Sequence, residues 1–305
     1  MIMFDCVIVG GGPAGLAAAV YLARQKLSFI IVTGDVGGQA LWSDDVENYL
    51  GFHLMNGIEL VNQFKKHLED YKDYFALKEG EEASKIEKME GGFRVATPQG
   101  LYETKTVLIA TGTKHRVLGV PGEKELYGKG VTYCANCDSP LYKDKTVYVI
   151  GGGNSAMDAA LFVEKYATRV VMVSVNAELQ GDAVMKAKIA QSKKINVYLS
   201  TKTTKVMGSL IVTGIGLMGP DGKEYEEKTD GVFIEIGLAP VTGFIDFVAK
   251  DTHQQIIVDK MTATNVEGVW AAGDVTDVTE KQISVAVGEG SKGALAIIKY
   301  LQTHH

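Results

Sequence analysis

The sequence predicts an α/β chain of two Rossmann-like nucleotide-binding domains, and three observations predict it. A buried apolar strand near the N-terminus runs into a glycine turn and then a helix. The same pattern returns about 140 residues later. Between the two lies Tyr133-Cys134-Ala135-Asn136-Cys137-Asp138, which holds two of the chain's three cysteines. At 305 residues the chain has room for about two such domains. Its net charge of −6 argues against a general nucleic-acid or membrane-surface binder. Three cysteines do not make a secreted disulfide framework, which points to a reducing, cytoplasmic setting. No basic region leads into an apolar segment at the start, so no signal peptide is expected. No apolar run reaches about 18 residues, so no membrane span is expected either.

Taken in order, Phe4 to Val9 is apolar enough to be a strand buried on both faces. Gly10-Gly11-Gly12-Pro13-Ala14-Gly15 follows, then the apolar helix Leu16 to Ala23. In this pattern Gly10 permits the turn, Gly12 lets the backbone approach a pyrophosphate, and Gly15 allows close packing of helix on strand. The helix N-terminus offers free N–H groups and a positive dipole end to phosphates. Cys6, inside the strand, is read as a small core residue. A second strand follows at Phe29 to Val32. Asp35 is placed beyond it, past the strand tip where a ribose-binding acid usually stands. The loop Val36-Gly37-Gly38-Gln39 and the stretch Glu47 to Phe52 are rich in amides and aromatics, side chains that suit either an isoalloxazine ring or a surface turn. Leu60, Val61, Phe64 and Leu68 predict an amphipathic helix from Ile58 to about Tyr74. The charged run Lys78 to Glu90 predicts a solvated turn of a small sheet. Thr106 to Ile109 is a third buried strand, ending at Ala110-Thr111-Gly112.

Glycines and a proline from Gly119 to Gly130 then mark a linker. The cysteine pair comes next. Its spacing closes a small disulfide ring, and half of a zinc site has the same spacing. A closed zinc site needs four ligands, and no second pair accompanies this one. The pair is therefore read as redox-active. The glycine pattern repeats as strand Thr146 to Ile150, turn Gly151-Gly152-Gly153-Asn154-Ser155-Ala156 and helix Met157 to Lys165, with Ala156 in the place of the third glycine. Strand Arg169 to Ser174 closes the second βαβ. A second linker is placed at Leu238-Ala239-Pro240. Near the end, Val266 to Asp274 reads as a buried strand whose terminal acid needs a hydroxyl-rich ligand, followed by Lys281-Gln282-Ile283 and a helix from Ala286 to Leu301.

These motifs, in this order and spacing, resemble the low-molecular-weight thioredoxin reductases over essentially the whole chain. They are also similar to the homologous C-terminal part of the flavoprotein component of alkyl hydroperoxide reductase. The resemblance implies two three-layer domains, the second inserted in the first. Residues 1–115 and 241–305 would form an FAD domain, and residues 116–240 a pyridine-nucleotide domain carrying the cysteines, in a homodimer. FAD would meet Gly10, Gly12, Pro13, Ala14, Gly15, Gly38, Gln39, Asn48, Ala110, Thr111, Gly112, Gly273, Asp274, Lys281, Gln282 and Ile283. The pyridine nucleotide would meet Gly151, Gly153, Asn154, Ser155, Ala156, Ser174 and Asn176. Cys137 would face the flavin, Cys134 would attack the disulfide of a thioredoxin or glutaredoxin-like protein, and Asp138 would relay the proton. A turn role for Asp138, before Ser139-Pro140, is the alternative.

The sequence departs from the NADPH-dependent members in one place. Ser174 to Asp182 contains no Arg or Lys where they carry cations for the 2′-phosphate. NADH is therefore expected first, reduced ferredoxin or a deazaflavin second, and NADPH third. The alternatives to a thioredoxin reductase are a reductase for a peroxiredoxin system and a non-catalytic flavoprotein.

Overall fold

The computed structural model describes residues 3–42 and 46–304. Of the predicted first domain, residues 1, 2, 43–45 and 305 lie outside the described residues. The chain divides into two compact units, Met1–Lys114 with Ala239–His305, and His115–Leu238.

The first unit begins with β1 (Met3–Gly11), α1 (Pro13–Arg24) and β2 (Phe29–Val36), continues through α2 (Gly57–Glu69), β3 (Phe75–Glu79), β4 (Lys85–Met89), β5 (Gly92–Ala96) and β6 (Leu101–Ile109), and leaves through β7 (Thr113–His115). The second unit contains β8 (Val131–Thr132), α3 (Ala135–Asp138), β9 (Thr146–Ile150), α4 (Asn154–Val163), β10 (Arg169–Val173), α5 (Ala183–Gln191), β11 (Ile195–Tyr198), β12 (Lys202–Gly208), β13 (Val212–Met218), β14 (Glu224–Lys228) and β15 (Gly231–Ile234). After β16 (Leu238–Pro240) the first unit resumes and ends with β17 (Val269–Ala271) and α6 (Ile283–Thr303).

In the first unit the sheet order is β3-β2-β1-β6-β5-β4, with β17 paired parallel to the far half of β6. Strands β3, β2, β1, β6 and β17 are parallel, and β4–β5 is an antiparallel hairpin on the near half of β6. A parallel sheet needs both faces covered, which explains the unbroken apolar runs. One face of β1 presents Cys6 and Ile8 to a core shared with Leu16, Leu22, Ala294 and Ile297 of the helices. The other presents Val7 and Val9 to Phe244, Ile245 and Ile256. Burial pushes the Cys6 thiol up to about 12, so it has no thiolate chemistry at neutral pH.

The second unit repeats the plan with the parallel order β11-β10-β9-β15-β8. Val147, Val149, Val170 and Met172 pack on the helix side with Ala156, Met157 and Ala160. Tyr148, Ile150, Val171 and Val173 pack against Val206, Ile215 and Leu217 of the antiparallel sheet β12-β13-β14. Both units are thus three-layered Rossmann-like folds.

Several expectations are corrected in detail. Helix α2 stops at Glu69, with a separate single turn at Lys72–Tyr74. Asn56 caps it by accepting the Glu59 N–H at 2.8 Å. The charged run after Lys78 supplies β4 and half of the β4–β5 hairpin that extends the main sheet. Strand β17 ends at Ala271, so Asp274 stands on the turn beyond it. Asp35 lies within β2, because a register shift between Val9 and Gly11 lets that strand run on to Val36.

Candidate functional site

In the first unit the glycine turn opens into a cavity of about 440 Å³. Gly10 has φ +112°, and a Cβ there would lie 2.3 Å from the Ala110 carbonyl oxygen, so only glycine lets the end of β6 pass this close. Around Gly12, by contrast, nothing lies within 4 Å of where a Cβ would stand. Helix α1 starts at Pro13 with no side-chain cap. Its first-turn N–H groups are therefore left to whatever fills the cavity.

All the residues expected to meet FAD line this cavity except Gly15. A Cβ on Gly15 would lie 2.0 Å from the Gly10 carbonyl oxygen, so its part is to let α1 pack on the turn. Gln39 donates to Thr113 at 2.6 and 3.1 Å, and Asn48 donates to Gln282 at 3.0 Å. The two expected loops thus bring their amides into the cavity. Their aromatics go elsewhere: Tyr49 packs on Phe52 and Phe64, with ring centroids 6.1 and 5.7 Å away.

Sequence reading missed several residues here. Asp35 lines the cavity at the end of β2 and accepts the Gly38 N–H at 2.8 Å. Glu82 and Lys114 line it as an exposed ion pair at 2.7 Å. Behind the lining, Glu289 of α6 is buried, accepts the Gly273 N–H at 2.8 Å and thereby fixes the Gly273-Asp274 turn. Its signal in sequence is a lone acid among the small residues Val287 to Gly290. Burial pushes the carboxyls of Asp274 and Glu289 up and the Lys281 ammonium down, while the opposite charges pull each back.

The residues fit FAD on their own chemistry. An open glycine turn under an uncapped helix suits a pyrophosphate. A half-buried Asp274 suits ribityl or ribose hydroxyls, and the amides of Gln39, Asn48 and Gln282 suit the polar edge of a ring.

In the second unit a cavity of about 710 Å³ opens over the other glycine turn. Gly151, Gly153, Asn154, Ser155, Ser174 and Asn176 line it, and Ala156 does not. Ala156 is fully buried beneath the turn, its Cβ 2.8 Å from where Gly151 would carry one. Helix α4 starts without a side-chain cap, as α1 does. Asn154 accepts the Asp182 N–H at 2.8 Å and ties the turn to the loop after β10. Ser174 is buried, with its hydroxyl accepting the Asn176 N–H at 3.2 Å, so Asn176 is the more open of the pair. Arg116, Lys202 and Glu235 also line this cavity, and none was expected. Thr201 N–H donates to the Ser174 carbonyl at 2.9 Å, which brings Lys202 beside the end of β10.

The two cysteines are joined as a disulfide, with Cα atoms 5.4 Å apart. Cys137 is exposed, whereas Cys134 and Asp138 are half-buried. The Cys134 sulfur accepts the Cys137 N–H at 3.2 Å, and the Asp138 N–H reaches the Cys134 carbonyl at 3.3 Å. Among the described residues no group of three or more His, Cys, Asp or Glu is placed to hold a metal. Among them no helix is long and apolar enough to cross a membrane.

Two dinucleotide-type cavities and a Cys-x-x-Cys disulfide in one chain define a flavoprotein disulfide oxidoreductase. Residues 4–290 match the family model described as pyridine nucleotide-disulphide oxidoreductase, and the chain belongs to that family. It is similar to the crystal structure of T. acidophilum thioredoxin reductase, at 39% identity, TM-score 0.80, and 99% coverage of both chains. It is also similar to Lactococcus lactis thioredoxin reductase, at 30% identity and TM-score 0.84, covering 98% of this chain and 99% of that one. A component of the alkyl hydroperoxide reductase of Pseudomonas putida is 40% identical over 98% of this chain. The chain spans 58% of the length of that relative.

Proposed function

We propose that the chain is a thioredoxin reductase, which passes electrons from NADH to the disulfide of a thioredoxin-like protein. FAD would be held by residues 1–115 and 241–305, and NADH by residues 116–240, with the enzyme working as a homodimer. The observation that carries the reading is the presence, in one chain, of two glycine-turn cavities and a Cys-x-x-Cys disulfide. Bound flavin supplies two-electron transfer between a reduced nicotinamide and a disulfide.

The chain's own residues do the rest. In the reduced pair Cys134 is the attacking thiolate, supported by the backbone N–H that its sulfur already accepts. It attacks one sulfur of the partner's disulfide, whose S–S bond breaks as a mixed disulfide forms. The Cys137 thiolate then attacks the Cys134 sulfur, which restores the internal disulfide and frees the partner as a dithiol. Two electrons leave this chain, and two protons end on the partner's sulfurs, relayed at the thiols by Asp138.

NADH is favoured because Ser174 to Asp182 offers no cation to a 2′-phosphate. Each missing charge-assisted contact would cost about 1.5–3 kcal/mol of NADPH binding. Reduced ferredoxin or a reduced deazaflavin is the alternative donor. A second acceptor, the peroxiredoxin of a peroxide-reducing system, is favoured by the 40% identity to the alkyl hydroperoxide reductase component.

The test is anaerobic titration of the flavin with NADH and NADPH in parallel, then turnover with thioredoxin and with peroxiredoxin. NADH should bleach the flavin, and Cys134→Ser should cut turnover with a protein disulfide by about a thousandfold or more while flavin reduction persists. Bleaching by NADPH alone would reverse the donor order. Full turnover in Cys134→Ser, or a colourless protein that takes up no FAD, would end the proposal.

A further inference from the structure

Glu235 is the acidic residue among those that line the second unit's cavity, and it stands beside the glycine turn. It follows β15 directly, and its N–H donates to the Ile150 carbonyl at 2.8 Å. Its own carbonyl oxygen would lie 2.1 Å from a Cβ on Gly151. Glu235 is half-buried and lines the same cavity as Gly153, Asn154 and Ser155. A glycine turn at an uncapped helix start is where a pyrophosphate binds, and a pyrophosphate is anionic. An ionised carboxylate in that cavity opposes the ligand that the turn attracts. A protonated one presents an O–H that a phosphate oxygen can accept.

We propose that Glu235 is a pH-gating residue of the dinucleotide site, admitting the dinucleotide pyrophosphate with its carboxyl protonated and opposing it when ionised. This rests on the reading of the second unit as a dinucleotide-binding unit.

The surroundings favour the neutral form. Burial, with Asp158 of α4 adding to it, pushes the Glu235 carboxyl up to about 7 from an ordinary 4.5. The charged groups around it come from three elements. Helix α4 supplies Asp158, the segment after β7 supplies Arg116, and β12 supplies Lys202. Arg116 and Lys202 line the same cavity, and Arg116 is steadied by its Nε–H donating to the Leu238 carbonyl at 3.2 Å. They remain to attract the ligand's phosphates.

The sign follows from linkage. A bound pyrophosphate raises the carboxyl's pKa further, so binding takes up a proton. Affinity is then full below the free-state value of about 7 and falls above it, by up to about one decade per pH unit.

The test measures the dissociation constant of NADH by anaerobic calorimetry between pH 6 and 8 on the FAD-loaded enzyme reduced beforehand with dithionite, so that NADH binds without reacting. Wild type should bind NADH about tenfold more weakly at pH 8 than at pH 6. Glu235→Gln, which keeps the shape and an N–H donor, should bind nearly equally at both. Asp158→Asn, at an exposed position, should move the wild-type midpoint to lower pH. Carbon NMR of the Glu235 carboxyl should show its titration rising in pH when NADH is added. Equal affinity at pH 6 and 8 in wild type, tighter binding at pH 8, or the same pH dependence in Glu235→Gln would overturn the proposal alone. Failure of NADH to bind wild type or Glu235→Gln at any pH would overturn the dinucleotide reading and this proposal with it.

Discussion

The two glycine turns are built alike, and the cavities above them are not. Each turn carries a first glycine in a left-handed conformation, pressed against a carbonyl of a neighbouring strand end: Gly10 on Ala110, Gly151 on Glu235. Each leads into a helix with no side-chain cap. In the first unit the walls come from the start and the end of the chain, and they carry Asp274 and Lys281 backed by the buried Glu289. Lys281 offsets part of the charge of both carboxylates within the wall, which suits a ligand that stays. In the second unit Arg116, Lys202 and Glu235 line the cavity. A ligand there would have to answer those charges itself, which suits one that arrives and leaves. On the proposed reading the same turn would meet a phosphate twice, and the surrounding wall would decide what is held and how tightly.

The largest effect that would break this comparison comes from paired substitutions in the turns. Gly10→Val should give protein without visible flavin absorbance, since its side chain has no room beside Ala110. Gly151→Val should keep the flavin yet slow its reduction by NADH by about a hundredfold or more, followed by stopped-flow bleaching. Loss of flavin from Gly151→Val would show that the two cavities are not separate in function. Next in size, Asp274→Ala removes a half-buried carboxylate from the first cavity. FAD should then dissociate about ten- to a hundredfold more readily, the cost of one charge-assisted hydrogen bond, as equilibrium dialysis would show.

A smaller effect tests the second wall. Lys202→Gln should weaken NADH by about two- to fivefold, and NADPH by the same factor if the lysine meets the pyrophosphate. A much larger loss for NADPH in calorimetry would place Lys202 at a 2′-phosphate and reverse the donor order. The smallest concerns stability without ligand. Glu235 binds its proton more tightly folded than unfolded, so it favours the fold below about pH 4.5 and that contribution is lost as pH rises through about 7. Glu235→Gln should therefore raise Tm at pH 8 relative to wild type by about 2–4 °C, and leave it little changed at pH 4.5. An equal rise at both pH values would mean that titration is not the cause.

Much of the fold was legible because its signals are local. Phe4 to Val9 and Thr146 to Ile150 are too apolar for anything but buried strands, and the glycines that follow need special backbone conformations. The cysteine pair was legible for the same reason. What escaped was assembled across distance. Asp35 was set outside β2 because the strand's extra length comes from an irregular register with β1, which periodicity in β2 alone does not show. Glu82 looked like part of a solvated run, and only the fold brings it to Lys114. Glu289 stands out in sequence only as a lone acid among small residues, and its partner, the Gly273 N–H, is 16 residues away. Arg116, Lys202 and Glu235 lie far in sequence from Ser174 to Asp182, and β-strand ends bring all three to one cavity.

The first unit closes only when β17 pairs with β6 and α6 packs against α1, and both elements follow the whole of residues 115–238. During synthesis, β1 and α1 leave the ribosome long before the parts that complete their core. The second unit is continuous and has all its strands by then. Flavin uptake is therefore expected to be a late event in the life of the chain, and translation products halted at Leu238 should bind no FAD in a filter assay while already carrying a folded second unit.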